Sequence, residues 1–227
     1  MWSQFGRLIA LALLVMFCSS FVLAEEPLVF PTSPRYYIFT VTKSDLRQAR
    51  RTKLPVLEST FRDQAKNVSR FNRRDSDHVW EGLRLKVPRL SADQEYTPMP
   101  AHYPPAANSP KFVLVWLTKQ FLGLYEHGEL AASYPISSGK AGTPTPTGDF
   151  RVTGHDSDHA SSLYPEPTGG WPMPWAIRFH RTEYWLHGGA LPGRPDSHGC
   201  VRLLPMDAEA LFRSTPLGTP VKIIDNL

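Results

Sequence analysis

The pattern of apolar and polar residues divides the chain into two halves. From Lys111 onward, short apolar runs are separated by glycine, proline and polar residues, which is typical of β-strands. Seven runs are predicted strands: KFVLVWLT, FLGLYEHG, LAASYPISSG, TGDFRVTGH, PWAIRFH, EYWLHGG and TPVKIID. One helix is predicted from Pro205 to Arg213, since proline suits a first helical turn and acidic residues follow it. We therefore expect residues 111–227 to form a mainly β domain with one late helix.

The N-terminal half has a mixed and more polar pattern. Apolar residues recur at helical spacing between Phe61 and Phe71, and the sequence NRRD at 72–75 then marks a turn before a short alternating stretch. Residues 25–95 are therefore predicted to form a small α+β region. The next segment, 96–110, contains five prolines and almost no aliphatic residues, which favours an extended, semi-rigid linker.

Residues 1–24 have the three-part pattern of a secretory signal peptide. Arg7 precedes an apolar run from Leu8 to Phe17, and small residues ending at Ala24 form a cleavage-like site. The run is short for a membrane span, and an uncleaved anchor is the alternative. We expect an exported protein of the periplasm or cell envelope.

Charge is distributed unevenly along the chain. The net charge is +4 overall, but it is +8 between Arg35 and Arg89 and −1 from Lys111 to the end. A basic region suits an anionic partner, such as wall polymer or a membrane surface with phospholipid head groups. A solvated basic surface without a partner is the alternative. Nucleic acid is not an expected partner of an exported chain.

Cysteine usage points to Cys200. Because Cys18 falls within the predicted leader, Cys200 is the one cysteine expected in the exported chain and cannot form an internal disulfide. Such a thiol either fills the core as an apolar group or is reactive. An exported protein gains little from an oxidisable thiol, so the reactive interpretation is favoured.

The stretch WLHGGALPGRPDSHGCVRLL at 185–204 contains what a reactive thiol needs. The thiolate is the attacking species, and a neighbouring base generates it. His187 lies thirteen positions before Cys200, and the Gly- and Pro-rich loop between them can bring the two together. Glycines at 188 and 199 allow close approach of the backbone to a substrate and leave N–H groups for an oxyanion. These parts suit acyl transfer without a metal or cofactor.

Two other features have less specific meanings. The sequence HDSDH at 155–159 combines imidazole and carboxylate groups, but such a stretch is more often a polar turn than a metal site, so no metal is predicted. Three tryptophans, Trp171, Trp175 and Trp185, either line a cleft or fill the core, and the sequence leaves both possibilities open.

Several motifs together resemble one enzyme family. HGGALPGRPDSHGCVRL resembles the active-site signature of the L,D-transpeptidase (YkuD-like) catalytic domain, a His-Gly pair followed by [ST]-H-G-C-[IV]-R. SGKAGTPTPTGDFRV, MPWAIRFH and LGTPVKI resemble further motifs of that family, in the same order. The resemblance covers roughly residues 111–225. It implies a YkuD-like β-sandwich preceded by the small α+β region.

The resemblance also implies roles for individual residues. Cys200 becomes the nucleophile and His187 the general base, while the backbone N–H groups of Gly199 and Cys200 face the oxyanion. Ser197 and His198 occupy motif positions that shape the site.

Two further residues are predicted to bind substrate. Arg202 is placed to pair with a substrate carboxylate, and Gly188 to let the backbone approach the substrate. The implied substrates are peptidoglycan stem peptides, and no cofactor is needed.

The implied reaction is transpeptidation through a Cys200 thioester. Two alternatives stay open. An L,D-carboxypeptidase or hydrolase uses the same thioester with water as acceptor, and a wall-binding protein carries a domain of this fold without catalysis. The stretch SRFNRRDSDHVWEGLRLKVP, which resembles the second half of a LysM-like wall-binding repeat, motivates the last of these.

Overall fold

The computed structural model describes residues 27–91, 93–166, 169–180 and 184–227. The predicted leader lies outside these ranges. Within them, no helix is both long enough and apolar enough to cross a membrane. The described chain consists of a small N-terminal α+β region and a larger β-rich domain, as the hydrophobic pattern predicts.

The N-terminal region is closed by a two-stranded antiparallel sheet. Strand β1 (Tyr36–Thr40) pairs with β2 (Arg84–Pro88), and between them lie α1 (Lys43–Thr52), α2 (Val56–Phe61) and α3 (Ala65–Asn72). The helical stretch predicted at 61–71 is interrupted by a 3-10 turn, so α3 begins only at Ala65. A small buried core holds the region together: Val41, Leu57, Ala65, Val68, Leu85 and Val87. The LysM-like resemblance stays a prediction.

The proline-rich segment 96–110, predicted as an extended, semi-rigid linker, packs against the β-rich domain. Met99, Tyr103 and Ala106 are buried against the β-rich domain, and the Tyr125 hydroxyl donates to the Pro100 carbonyl at 2.9 Å. The prolines restrict regular structure to one 3-10 turn, as expected. The count of aliphatic residues underestimated this segment because a methionine and an aromatic ring supply much of its buried surface.

One sheet of the β-rich domain has five strands. They are β3 (Phe112–Trp116), β4 (Phe121–Glu126), β5 (Glu129–Pro135), β6 (Gly148–Arg151) and β13 (Pro220–Ile224), in the order β5-β4-β3-β13-β6. Strand β3 is central and buried along its whole length, which explains its continuous apolar run.

The second sheet has four strands and carries the late helix. Its strands are β7 (Gly154–Asp156), β10 (Ala176–Arg178), β11 (Trp185–Gly188) and β12 (Val201–Leu203), in the order β12-β11-β10-β7, and α4 (Pro205–Ser214) follows β12. A separate hairpin is formed by β8 (Ala160–Glu166) and β9 (Gly169–Pro172). The main core lies between the two sheets and α4.

The mainly β prediction with one late helix is confirmed. The run TGDFRVTGH contributes β6 and β7 to different sheets rather than forming one strand. The hairpin and the three-residue β12 were not predicted, because their sequences lack a sustained alternating pattern.

Candidate active site

Strands β11 and β12 are parallel neighbours and set the positions of the predicted base and nucleophile. Leu186 pairs with Val201, and His187 pairs with Arg202. Successive side chains on a strand point to opposite faces. Leu186 and Val201 enter the core between the sheets, so His187 and Arg202 face the other way. Cys200, directly before β12, lies on that same face.

This face borders a cavity of about 590 Å³. Five of the seven predicted site residues line it: His187, Ser197, His198, Cys200 and Arg202. The loop between β11 and β12 therefore brings together the groups that are spread over sixteen positions of the sequence.

His187 is buried and held in one tautomer. Its Nδ1 lies 2.9 Å from the Gly188 carbonyl oxygen, and because a carbonyl only accepts, Nδ1 carries the proton and Nε2 the lone pair. The pKa of His187 is lowered to about 4: burial is the largest cause, the bond to Gly188 opposes it, and the charges of Arg202 and His159 add smaller decreases. The imidazole is therefore neutral at pH 7 and able to accept a proton at Nε2.

Cys200 is reachable from the cavity. The residue is partly exposed, and its side chain packs against Met173, Ala176 and Trp185. It is not sealed beneath aliphatic side chains, as a core filler is. This environment fits a reactive thiol supported from one side.

The backbone before Cys200 is shaped by Ser197, which is buried. The Ser197 hydroxyl donates to the Cys200 carbonyl and accepts from the Gly199 N–H at 3.0 Å. The Gly199 amide is thus engaged, which differs from its predicted role as an oxyanion donor. Glycine is required there because φ is +121° and an added Cβ would come within 2.5 Å of the Tyr184 ring.

The mouth of the cavity is positively charged. His198 is exposed, and its Nε2 lies 3.1 Å from Lys140 Nζ. Desolvation, followed by the charges of Lys140 and Arg202, lowers the pKa of His198. Arg202 Nη1 is 3.7 Å from an Asp196 carboxylate oxygen, which offsets only part of the positive charge. Such a mouth favours a ligand with a carboxylate.

Gly188 is placed differently from its prediction. It is buried, and an added Cβ would meet Pro174 and Pro205 at 3.1 and 3.2 Å. Its N–H donates to the Pro174 carbonyl at 2.7 Å. Its contribution is to orient His187 through its carbonyl rather than to face the cavity.

The sequence reasoning missed residues that the hairpin and its flanks bring to the cavity. His159 stacks on Trp185 with ring centroids 4.1 Å apart and lies 3.1 Å from an Asp156 carboxylate oxygen. In the sequence, His159 belongs to HDSDH, a stretch typical of a polar turn that gives no sign of a cavity. Among the described residues, no three His, Cys, Asp or Glu side chains are arranged to hold a metal ion.

The three tryptophans divide between the two possibilities. Trp171 and Trp185 line the cavity, whereas Trp175 packs against the main core and the Phe212 ring. Trp171 stays exposed. An exposed aromatic ring beside a polar site is a surface on which a ligand can rest.

Comparison with known proteins identifies related sequences. The YkuD family model, described as an L,D-transpeptidase catalytic domain, matches residues 110–223. The YkuD proteins of Bacillus licheniformis and Bacillus subtilis are 32% and 29% identical to this chain over 117 residues, which is 50% of this chain and 66% of each relative. The alignment thus spans slightly less than two thirds of those relatives.

One solved structure is similar over a longer part of the chain. The crystal structure of an L,D-transpeptidase from Xylanimonas cellulosilytica has 26% sequence identity and a TM-score of 0.52. The match covers 86% of this chain and 100% of that chain. The similarity therefore extends into the region that precedes the family match.

Proposed function

The chain belongs to the L,D-transpeptidase (YkuD) catalytic domain family, and from this premise we propose that it cross-links peptidoglycan stem peptides through a Cys200 thioester. The observation that carries the proposal is the placement of His187 and Cys200 at the same cavity: His187 is on β11, and Cys200 directly precedes the parallel neighbour β12. A nucleophile and a base that share an accessible cavity are the minimum for covalent acyl transfer.

The first half of the reaction forms the acyl-enzyme. His187 Nε2 takes the proton of the Cys200 thiol as Sγ attacks the carbonyl carbon that links the third stem residue to a terminal D-amino acid. The C–N bond breaks, and the leaving amine takes the proton back from His187. The D-amino acid departs, and a thioester remains. Because its pKa is about 4, His187 acts as a neutral base rather than as a standing cation beside the sulfur.

The second half releases the acyl group. The amine of another stem peptide attacks the thioester carbon and gives its proton to His187. Cys200 leaves as the thiol after it recovers that proton, and a new peptide bond links the two stems. No ATP is consumed, because the energy of the first peptide bond is kept in the thioester.

Charged groups at the mouth bind and orient the donor peptide. Arg202 reaches the cavity and is proposed to pair with a substrate carboxylate. The Cys200 backbone N–H is the proposed donor to the oxyanion, since the Gly199 N–H is held by Ser197. Lys140, whose Nζ lies 3.1 Å from His198 Nε2, adds positive charge near the entrance.

The cellular setting follows from the same reasoning. We propose that the leader at 1–24 exports the chain to the periplasm or cell envelope, where stem peptides are found. The basic region between Arg35 and Arg89 is proposed to favour anionic wall polymer or a membrane surface.

Mass spectrometry of the intact protein tests the chemistry. A carbapenem imitates the acyl donor, so we expect wild type to gain the mass of one carbapenem, whereas Cys200→Ala gains none. Absence of an adduct on wild type overturns the proposal. Incubation with tetrapeptide stems then separates the acceptors: dimers indicate transfer to an amine, and tripeptides alone indicate a carboxypeptidase that uses water.

A further inference from the structure

The loop that carries Cys200 is bonded to the N-terminal region. We define this catalytic loop as residues 189–200, which join β11 to β12. We call residues 191–193 its crest. There, the Leu191 N–H donates to the Asp75 carboxylate at 2.7 Å, and the Asp75 N–H donates to the Leu191 carbonyl at 2.9 Å. Arg74 and Pro192 form an isolated antiparallel bridge. Residues 74–75 thus pair with the crest through backbone contacts, as a short antiparallel strand would.

Asp75 is itself fixed by both of its carboxylate oxygens. Oδ1 accepts from the His78 N–H at 3.0 Å and lies 2.6 Å from His78 Nδ1, while Oδ2 accepts from Leu191. Its side chain is only 16% exposed. A carboxylate offers acceptors on both sides, whereas an amide of the same size offers only one. Asp75 therefore connects two segments in a way that asparagine cannot reproduce.

Arg74 covers the next part of the crest. Its guanidinium lies over the Trp80 ring at 4.9 Å and donates to the His78 carbonyl at 2.7 Å. A Cβ at Gly193 would lie 2.7 Å from Arg74 Nη2. The guanidinium is therefore in close contact with the loop backbone at Gly193.

The N-terminal region is anchored to the β-rich domain through Arg70, close in sequence to Arg74 and Asp75. Arg70 is 3% exposed and donates to the Ser133 hydroxyl of β5 and to the Tyr96 carbonyl, both at 2.8 Å. It also pairs with Glu95 at 2.6 Å. Arg70 lies in the last turn of α3, and Arg74 follows two residues after the helix ends at Asn72. The 74–75 turn is therefore connected to a rigid element rather than to a loose arm.

We propose that Arg74 and Asp75 are positioning residues, which hold the crest of the catalytic loop and thereby keep the His187 and Cys200 side chains in a fixed relative position. The loop contains glycines at 189, 193 and 199, so its backbone needs external contacts to hold one conformation. Small misplacements of reacting groups cost large factors in rate. On this basis, the N-terminal region is part of the catalytic unit, whatever it contributes to wall binding. The proposal rests on the proposed function, because its main readout is acylation of Cys200.

The experiment compares Asp75→Ala and Asp75→Asn with Asp77→Asn, a matched control. Asp77 carries the same charge two residues away but is exposed. The full chain is titrated with a carbapenem, and the maximal acylation rate constant, the half-saturating concentration and the final adduct per chain are measured. We expect the maximal rate constant to fall about tenfold in Asp75→Ala and less in Asp75→Asn, with little change in half-saturation and complete final labelling. Asp77→Asn behaves as wild type.

The outcomes separate positioning from simple stabilisation. A lower final labelling with an unchanged rate constant means that Asp75 only keeps the chain folded, and it overturns the proposal. An unchanged rate constant with complete labelling overturns it as well. A fall of the same size in Asp77→Asn assigns the effect to charge alone and also contradicts it.

A second measurement does not depend on acylation. If no chain is acylated, that result contradicts the proposed function and leaves this inference to be tested by hydrogen exchange. Amide hydrogen exchange of peptides covering 189–196 reports the crest contacts directly. We expect about tenfold faster exchange there in Asp75→Ala than in wild type, with unchanged exchange in β3. Equal exchange at the crest overturns the inference.

Discussion

The two halves of the catalytic loop are held in different ways. The half next to Cys200 is bound by the β-rich domain itself: the N–H groups of Asp196 and Ser197 donate to the Ser138 carbonyl, and Thr145 Oγ1 donates to the Gly199 carbonyl at 2.8 Å. The crest, in contrast, is bound by Asp75, which lies 116 positions from Leu191 along the chain.

The difference shows how the chemistry and its support are divided. Neutral hydrogen bonds to Ser138 and from Thr145, both in the β-rich domain, hold the half next to Cys200 directly. A charged side chain from another region fixes the crest, so that half depends on how the two regions dock. Substitutions that disturb the half next to Cys200 are expected to lower both stability and acylation strongly. Substitutions at the crest are expected to have smaller effects.

The largest effect is expected from Gly139→Ala. Gly139 pairs with Ser197, and an added Cβ would lie 2.1 Å from the Thr143 carbonyl oxygen, which is backbone and cannot move aside easily. We expect the free energy of unfolding to fall by about 3 kcal/mol or more. Carbapenem acylation is expected to be lost together with this stability. Urea unfolding and adduct formation measure the two effects.

Gly142→Ala is the matched control in the same segment. A Cβ there has no atom within 4 Å, so stability and acylation are expected to stay at wild-type values. If the two alanine variants behave alike, packing around Gly139 does not fix the nucleophile half of the loop.

A pH-dependent effect is expected from His187, at the root of the loop. Its pKa in the folded protein is about 4, below the usual value near 6.5. As the pH falls from about 6.5 to 4, the unfolded chain therefore takes up a proton that the folded chain refuses. The free energy of unfolding is expected to fall by about 3 kcal/mol over this window from His187 alone. Urea titrations of wild type and His187→Gln measure it as the difference between the two chains.

Asp207 acts in the opposite direction in the same window. Burial raises its pKa to about 6, and the charges of Arg70 and Lys66 oppose the shift. Between pH 6 and 4 the folded chain therefore binds a proton at Asp207 more readily than the unfolded chain, and the contribution of Asp207 to the free energy of unfolding rises as the pH falls. Both chains contain Asp207, and it cancels in the comparison. A constant difference between wild type and His187→Gln from pH 7 to 4 contradicts the low pKa of His187.

The smallest effect is expected from alanine at Gly193, and it tests the contact between Arg74 and the crest. Gly193 and Gly82 have φ values of +84° and +82°, but only Gly193 lies against Arg74. Alanine at either position is expected to cost about 1 kcal/mol from backbone strain, and Gly193→Ala costs a further few tenths because Arg74 must move. A double-mutant cycle with Arg74→Ala measures that excess. An excess that persists without Arg74 argues against its contact with the crest.

Much of the β-rich domain could be predicted because its signals are local. Strands β3 and β4 are continuous apolar runs, and α4 begins where proline and acidic residues indicate a helix start. The site could be located because His187 and Cys200 belong to one short motif. By contrast, the hairpin that brings Trp171 to the cavity has no such pattern.

The amino-acid sequence by itself determined most strands of the two sheets, the late helix and the identities of the thiol and imidazole, because each depends on neighbours within about twenty residues. Only the tertiary structure decided that Gly199 is engaged by Ser197, that segment 96–110 is packed, and that Asp75 binds the crest of the catalytic loop. Hydrogen bonds between distant segments leave no periodic trace in the chain. An aspartate in a turn has the same sequence signature whether it faces water or holds an active-site loop.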